Sequence, residues 1–193
     1  MRIGLLGGSF NPAHAGHRHI AHLARRRLRL HQVWLLVSPG NPLKPTAGMA
    51  PFAQRLASAR AIADGRRIVA TSIEARLASR YTFRTLRELR RRFPRASFVW
   101  ITGADNLIEL PRWRRWLEVV TTVTIAVMPR PSYNHRALAS RAACRLRRAR
   151  RAPHLAPVLA AMSPPAWIFL PASEIVASAT AIRAARSGVS DHR

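Results

Sequence analysis

Ile3-Gly4-Leu5-Leu6-Gly7-Gly8-Ser9-Phe10-Asn11-Pro12-Ala13-His14-Ala15-Gly16-His17 is the stretch on which the reading of this chain turns. Ile3–Leu6 is a short apolar run that ends in a glycine pair, the pattern of a buried strand. Helical character follows over His17–Leu30, with Ile20, Leu23, Ala24 and Leu28 at i, i+3, i+4 and i+8. In α/β folds a ligand sits beyond the carboxyl end of such a strand. Glycines let the backbone approach a phosphate there, and a helix N-terminus adds N–H donors and partial positive charge. His14 and His17, three residues apart, project in one direction once the first turn begins. Imidazoles donate hydrogen bonds to phosphoryl oxygens and, when protonated, offset charge on a transition state. The plain alternative is a tight turn with two surface histidines. A metal site is disfavoured, since no carboxylate or third histidine is near and the spacing differs from His-Glu-x-x-His.

Outward from this segment, strand and helix alternate. Further strands are expected at Val33–Val37, Arg67–Ala70, Ser97–Thr102, Thr122–Val127 and Ala166–Leu170. Helices are expected over Phe52–Ala63, Thr82–Arg92, Arg136–Arg151 and Ala179–Arg186, with short helical pieces through Leu107–Val119. Pro39–Pro51 reads as a loop, and Pro129–Pro165 as an irregular excursion from the sheet. Buried strands alternating with helices imply βαβ units, hence an α/β fold with a doubly wound, mostly parallel sheet. At 193 residues a single domain over the whole chain is expected, with residues 188–193 a loose tail.

Composition excludes more than it selects. No apolar run approaches the ~20 residues of a membrane span, and the apolar N-terminus is too short for a signal-peptide core. A cytoplasmic protein with no membrane partner is the expectation. The single cysteine, Cys144, makes no internal disulfide and has no activating neighbour. A formal charge of +25 attracts polyanions, phosphate-bearing substrates and nucleic acid alike. Lys44 is the one lysine among 33 basic residues, and alanine is abundant, which fits a compositional drift toward arginine; no specific nucleic acid is expected.

The segment Gly7–His17 resembles the first signature of the nucleotidyltransferase superfamily, in the form found in nicotinate-nucleotide adenylyltransferases, G-G-(S/T)-F-(D/N)-P-x-H-x-G-H. That resemblance implies a Rossmann-like nucleotidyltransferase fold. It also implies that His14 and His17 contact the phosphates of ATP and stabilise the transferring phosphoryl group, with Gly7, Gly8, Ser9 and Phe10 on the ATP side. Near the other end, Ala177-Ser178-Ala179-Thr180-Ala181-Ile182-Arg183 is similar to the superfamily's second signature, I-S-(S/A)-T-x-I-R. Ser178 is a good N-cap, Thr180 falls in the first turn, and Arg183 offers a forked donor pair. By the resemblance they bind the β- and γ-phosphates, and Arg183 joins the two histidines as a catalytic group.

Four segments support the same reading. Gly40-Asn41-Pro42-Leu43-Lys44-Pro45 resembles the family's P-P-H-K loop, which places Lys44 near substrate. Arg80-Tyr81-Thr82-Phe83-Arg84-Thr85-Leu86 resembles its S-Y-T-x-x-T-L segment, so Thr82 faces the nicotinate carboxylate, a threonine cap being the simpler alternative. Gly103 and Asp105 match its G-x-D on the ATP side, where a carboxylate suits a ribose hydroxyl. Trp113 resembles the tryptophan beside the pyridine ring, while Trp116 reads as core and Arg130 as a surface arginine, with a further phosphate contact as its alternative. An absence of acidic residues at that site is expected to favour a carboxylated pyridine over an amide.

The implied reaction joins AMP from ATP to nicotinate mononucleotide, giving deamido-NAD and pyrophosphate, with Mg²⁺ carried by ATP rather than by a protein cage. Pantetheine-phosphate adenylyltransferase shares both signatures and stays open as the alternative enzyme. A basic nucleic-acid-binding protein on a nucleotide fold is the alternative outside enzymes, favoured by Arg136–Arg151. An oligomer stays open too.

Overall fold

The computed structural model describes residues 1–40 and 47–170. Lys44, Ser178, Thr180, Arg183 and the helix expected over Ala179–Arg186 lie outside the described residues. The strands are β1 Arg2–Gly8, β2 Gln32–Val37, β3 Ile68–Thr71, β4 Ser97–Gly103, β5 Thr124–Met128, β6 Arg150–Arg151 and β7 Trp167–Phe169. The α-helices are α1 Ala15–Arg27, α2 Phe52–Ala61, α3 Ile73–Arg76, α4 Thr82–Arg92, α5 Ala104–Glu109, α6 Trp116–Thr122, α7 Asn134–Leu138 and α8 Arg141–Arg145. Shorter 3₁₀ pieces span Leu110–Arg112 and Arg147–Ala149, and a longer one Pro153–Ala161.

The seven strands form one sheet in the order β3-β2-β1-β4-β5-β7-β6, and every pair is parallel. Parallel strands need both faces covered, which is why they read as unbroken apolar runs rather than alternating ones. Alternate residues then serve two cores. Ile3, Leu5, Phe98, Trp100, Ile125 and Val127 face α4 to α8. Leu6, Val99, Ile101, Ala126 and Met128 face α1, α2 and the Pro153–Ala161 turn. Gly4 belongs to the second side, where a Cβ would come within 2.7 Å of both Ile101 and Leu30.

The doubly wound expectation holds. β1 lies between β2 and β4, so the chain winds one way through β3 and then crosses to wind the other way. The crevice that this reversal opens lies beyond Gly8 of β1 and Gly103 of β4.

The Arg136–Arg151 helix is corrected. The structure breaks it into α7, α8, a 3₁₀ turn and β6. Ser140 caps a new helix by accepting from the Ala143 N–H at 3.3 Å, which stops α7 from running on. Downstream, the Trp167 indole N–H donates to the Leu146 carbonyl at 2.9 Å, and Arg150 and Arg151 pair with Trp167 and Ile168. Arginine on nearly every side gave no single apolar stripe to hold one helical phase. The excursion expected over Pro129–Pro165 therefore returns to supply the edge strand β6.

One buried cation ties the loops at the crevice mouth. Arg55, 2% exposed on α2, donates to the carbonyls of Ser9 (2.8 Å), Ser38 (2.7 Å) and Ala50 (2.9 Å). It thus joins the loop after β1 to the loop after β2. Nothing distinguishes it in a sequence so rich in arginine. Replacing Arg55 with Leu leaves three inward carbonyls without their donor and should cost at least about 2 kcal/mol. Urea unfolding will read this, and Arg55→Lys should recover only part, since an ammonium lacks the planar fork.

Candidate active site

The loop after β1 is pinned from beneath. Phe10 takes a left-handed backbone (φ +48°) and buries its ring to 1% exposure, with the His17 ring 4.9 Å away. Burial of an aromatic ring offsets a backbone cost of about 1–2 kcal/mol. Phe10 was expected on the ATP side; its side chain is a core plug that supports the loop.

Helix α1 opens at Ala15, earlier than the periodicity indicated, with His14 as N-cap. The two histidines cap it reciprocally. His14 Nδ1 accepts from the Gly16 N–H at 3.1 Å, and His17 Nδ1 accepts from the His14 N–H at 3.3 Å. An accepting Nδ1 carries no proton, so in each neutral ring the proton sits on Nε2, a donor free of the backbone. The ring centroids are 3.9 Å apart.

Burial and neighbouring positive charge disfavour the protonated form of both rings. His17 is pushed down to about 3, chiefly by burial, then by the neighbouring His14 and by Arg130. His14 is lowered by partial burial and by Arg130. Of the two roles weighed for these imidazoles, this environment favours hydrogen-bond donation, most strongly at His17.

The cation beside them is Arg130, after β5. Its Nη1 lies 2.6 Å from Asp105 Oδ2, in the first turn of α5. The second carboxylate oxygen, Oδ1, is buried and has no hydrogen-bond partner. Gly103 caps α5, and a Cβ there would lie 2.5 Å from Asp105 Oδ1, so a larger residue would push the carboxylate from its present place. Arg130 is exposed, in line with its reading as a surface arginine, but it is also paired with Asp105, and its field reaches both histidines.

Next to this group lies a cavity of about 200 Å³. Gly7, Gly8, Ser9, Thr82 and Trp113, all expected at the site, line it together. Gly7 is glycine because a Cβ would come 2.7 Å from the Trp100 indole, which forms part of the wall. Trp113 stands edge-on to Trp100, with centroids 6.1 Å apart. Thr82 is the first residue of α4, whose cap makes no side-chain bond, so the threonine-cap alternative fails. Trp116 is partly buried against the core, as expected. His14, His17, Gly103 and Asp105 do not line the cavity.

Sequence reasoning missed several lining residues, among them Ser38, Thr102, Asn106, Arg112 and Glu74. Glu74 overturns the expectation of an acid-free site. It is 7% exposed, and burial pushes its carboxyl up to about 7 against the opposing hydrogen bond from Thr85. Its signal was weak, a glutamate between two short elements in a chain with eight acidic residues.

The cytidylyltransferase-like family model matches residues 5–185. A protein of Gluconacetobacter diazotrophicus named a probable nicotinate-nucleotide adenylyltransferase is 59% identical over 183 residues, covering 95% of this chain and 85% of that protein. One of the same name from Gluconobacter oxydans is 58% identical, covering 95% and 94%. In fold, the chain is similar to the Plasmodium falciparum nicotinic acid mononucleotide adenylyltransferase solved in complex with NaAD. The TM-score is 0.66 at 15% identity, over 95% of this chain and 82% of that one. No helix among the described residues is long and apolar enough to cross a membrane. With more than half its sequence shared across nearly its full length, the chain belongs to the nicotinate-nucleotide adenylyltransferase family.

Proposed function

We propose that this protein transfers AMP from ATP to nicotinate mononucleotide, releasing pyrophosphate and deamido-NAD. The observation that carries the reading is the reciprocal cap, which presents two neutral imidazoles, each with its proton on Nε2, beside the Arg130–Asp105 pair and a cavity walled by Trp113 and Thr82. A 5′-phosphate oxygen of the acceptor attacks the α-phosphorus of ATP in line. The bond from that phosphorus to the bridging oxygen breaks, and pyrophosphate leaves with the electron pair.

No covalent enzyme intermediate is required, so the protein contributes position and electrostatic stabilisation. His14 and His17 donate from Nε2 to phosphoryl oxygens as charge builds there. Gly7, Gly8 and Ser9 bring backbone close to the nucleotide, and Gly103 with Asp105 serves the ATP side. Ser178, Thr180 and Arg183 take the β- and γ-phosphates, and Lys44 adds a point charge, in keeping with the family resemblance; these four lie outside the described residues. Mg²⁺ enters on the triphosphate as part of the substrate. No cluster of three acid, histidine or cysteine side chains among the described residues would cage it. A cytoplasmic setting belongs to the same proposal.

Pyrophosphate release measured with ATP and, in turn, nicotinate mononucleotide, its amide and phosphopantetheine should be fastest with the first. His17→Ala should lower kcat about 10²- to 10³-fold without unfolding the chain. Near-normal turnover would refute its role.

A second outcome concerns pH. In the unfolded chain His17 takes a proton near 6.5, but in the fold it resists protonation down to about 3. Its contribution to stability is therefore complete above pH 6.5 and is lost as pH falls from there toward 3. Urea unfolding at pH 7 and pH 4.5 should show His17→Asn, whose side-chain oxygen can still accept, losing less than the wild type by about 2 kcal/mol.

A further inference from the structure

Among the described residues, the guanidinium groups of Arg80, Arg112 and Arg114 stand on the cavity wall against one acid, Glu74. Glu74 cancels none of them by contact. It takes part in no ion pair among the described residues, and it is buried, with the Thr85 hydroxyl donating to its Oε1 at 3.2 Å. The three arginines are exposed, and no ion pair or side-chain hydrogen bond among the described residues engages them. A wall with this balance favours a ligand that brings negative charge.

Arg114 differs from the other two in being held. Its guanidinium carbon lies over the Tyr81 ring, 5.0 Å from the centroid, a contact that leaves the in-plane N–H donors unused. Its backbone sits in a turn closed by the Trp116 N–H on the Trp113 carbonyl at 3.1 Å, with Arg115 in a left-handed conformation (φ +55°). Arg80 and Arg112 lie over no aromatic ring among the described residues, so each would lose rotamer freedom on gripping a ligand. Arg84 also approaches the Tyr81 ring, at 5.8 Å, but does not line the cavity.

Position singles out the same residue. Arg114 follows Trp113 in the chain, and Tyr81, against which it packs, precedes Thr82. Trp113 was read as the neighbour of the pyridine ring and Thr82 as the neighbour of its carboxylate. A carboxylate and a carboxamide have nearly the same shape. They differ in charge and at one corner, where an acceptor oxygen gives way to an NH₂ donor. A guanidinium fork donates to both oxygens of the acid, but against the amide it sets one donor facing another.

We propose that Arg114 is a specificity-determining residue, which selects the carboxylated pyridine over its amide by setting a ring-held guanidinium against the acceptor's carboxylate. This assignment rests on the reaction read under Proposed function.

The test reads the KM for nicotinate mononucleotide divided by the inhibition constant of its amide, in wild type, Arg114→Met, Arg114→Lys and Arg141→Met. Methionine keeps an unbranched apolar stem without the charge. Arg141 is exposed on α8 and off the cavity wall, so Arg141→Met removes the same charge from the chain without touching the pocket. Arg114→Met should raise the ratio about fivefold to tenfold, the low end for a charged hydrogen bond because the side chain is exposed. Arg114→Lys should fall between, since an ammonium keeps the charge but not the fork. Arg141→Met should stay at the wild-type ratio.

An Arg114 that merely supported the Tyr81 corner would weaken acid and amide together when replaced. A flat ratio in Arg114→Met therefore overturns the assignment, and so does an equal rise in Arg141→Met, which would point to the overall field instead. A wild type that turns over no nicotinate mononucleotide at all would sink the reaction itself.

Discussion

A helix that begins straight after a buried strand has N–H groups at its first turn with no partner inside the helix. Here two imidazoles supply the missing acceptors. That single requirement fixes the rest of the β1–α1 corner. It occupies Nδ1 of both rings, which sets the tautomer; it holds the rings 3.9 Å apart, which discourages charging either one. It also puts both donors at the carboxyl end of β1, where the sheet's reversal opens the crevice. Ser, Thr, Asp or Asn could cap such a helix as well. None of them would leave a second nitrogen with a proton to donate.

The charge balance around this corner is equally selective. Among the described residues four ion pairs form, and three link neighbours three or four positions apart, two within α4 and one from Arg115, just before α6, to Glu118. Such local pairs contribute only a few tenths of a kcal/mol. The fourth, Arg130 with Asp105, joins the ends of β5 and β4, and it stands beside the histidines. In a chain with 33 basic and eight acidic residues, most guanidinium groups have no acid to meet. One of the three aspartates is nevertheless placed here, with one oxygen on Arg130 and the other buried without a partner.

The sequence reading succeeded where one physical rule dominated. Strands buried on both faces are apolar throughout, so β1, β2, β4 and β5 were legible within two residues, and α4 was read at its observed bounds, Thr82–Arg92. The glycine turn with two histidines placed the corner, and Thr82 and Trp113 fell on one cavity with it. Failure came where tertiary contacts decided. β6 has two residues and exists because Trp167 and Ile168 pair with them, a contact 17 positions away that leaves no local pattern. Phe10 looked like a loop residue beside a ligand, yet its ring is buried. Arg55 and Glu74 were invisible for opposite reasons, one lost among many arginines, the other a charge type that rarely enters a core.

The two electrostatic tasks of phosphoryl transfer fall to different chemistries in this fold. Negative charge on a triphosphate calls for cations that stay charged, and a guanidinium does so at any physiological pH. Charge that shifts between oxygens during the reaction calls for donors of fixed direction, and a cap-held neutral imidazole provides one at a known ring corner. Protonating the imidazoles would add charge to a chain already at +25, and would break the caps that aim them. Keeping them neutral is thus a consequence of the same backbone bonds that orient them. The field of Arg130 reinforces that neutrality, so the permanent cation helps preserve the uncharged donors beside it.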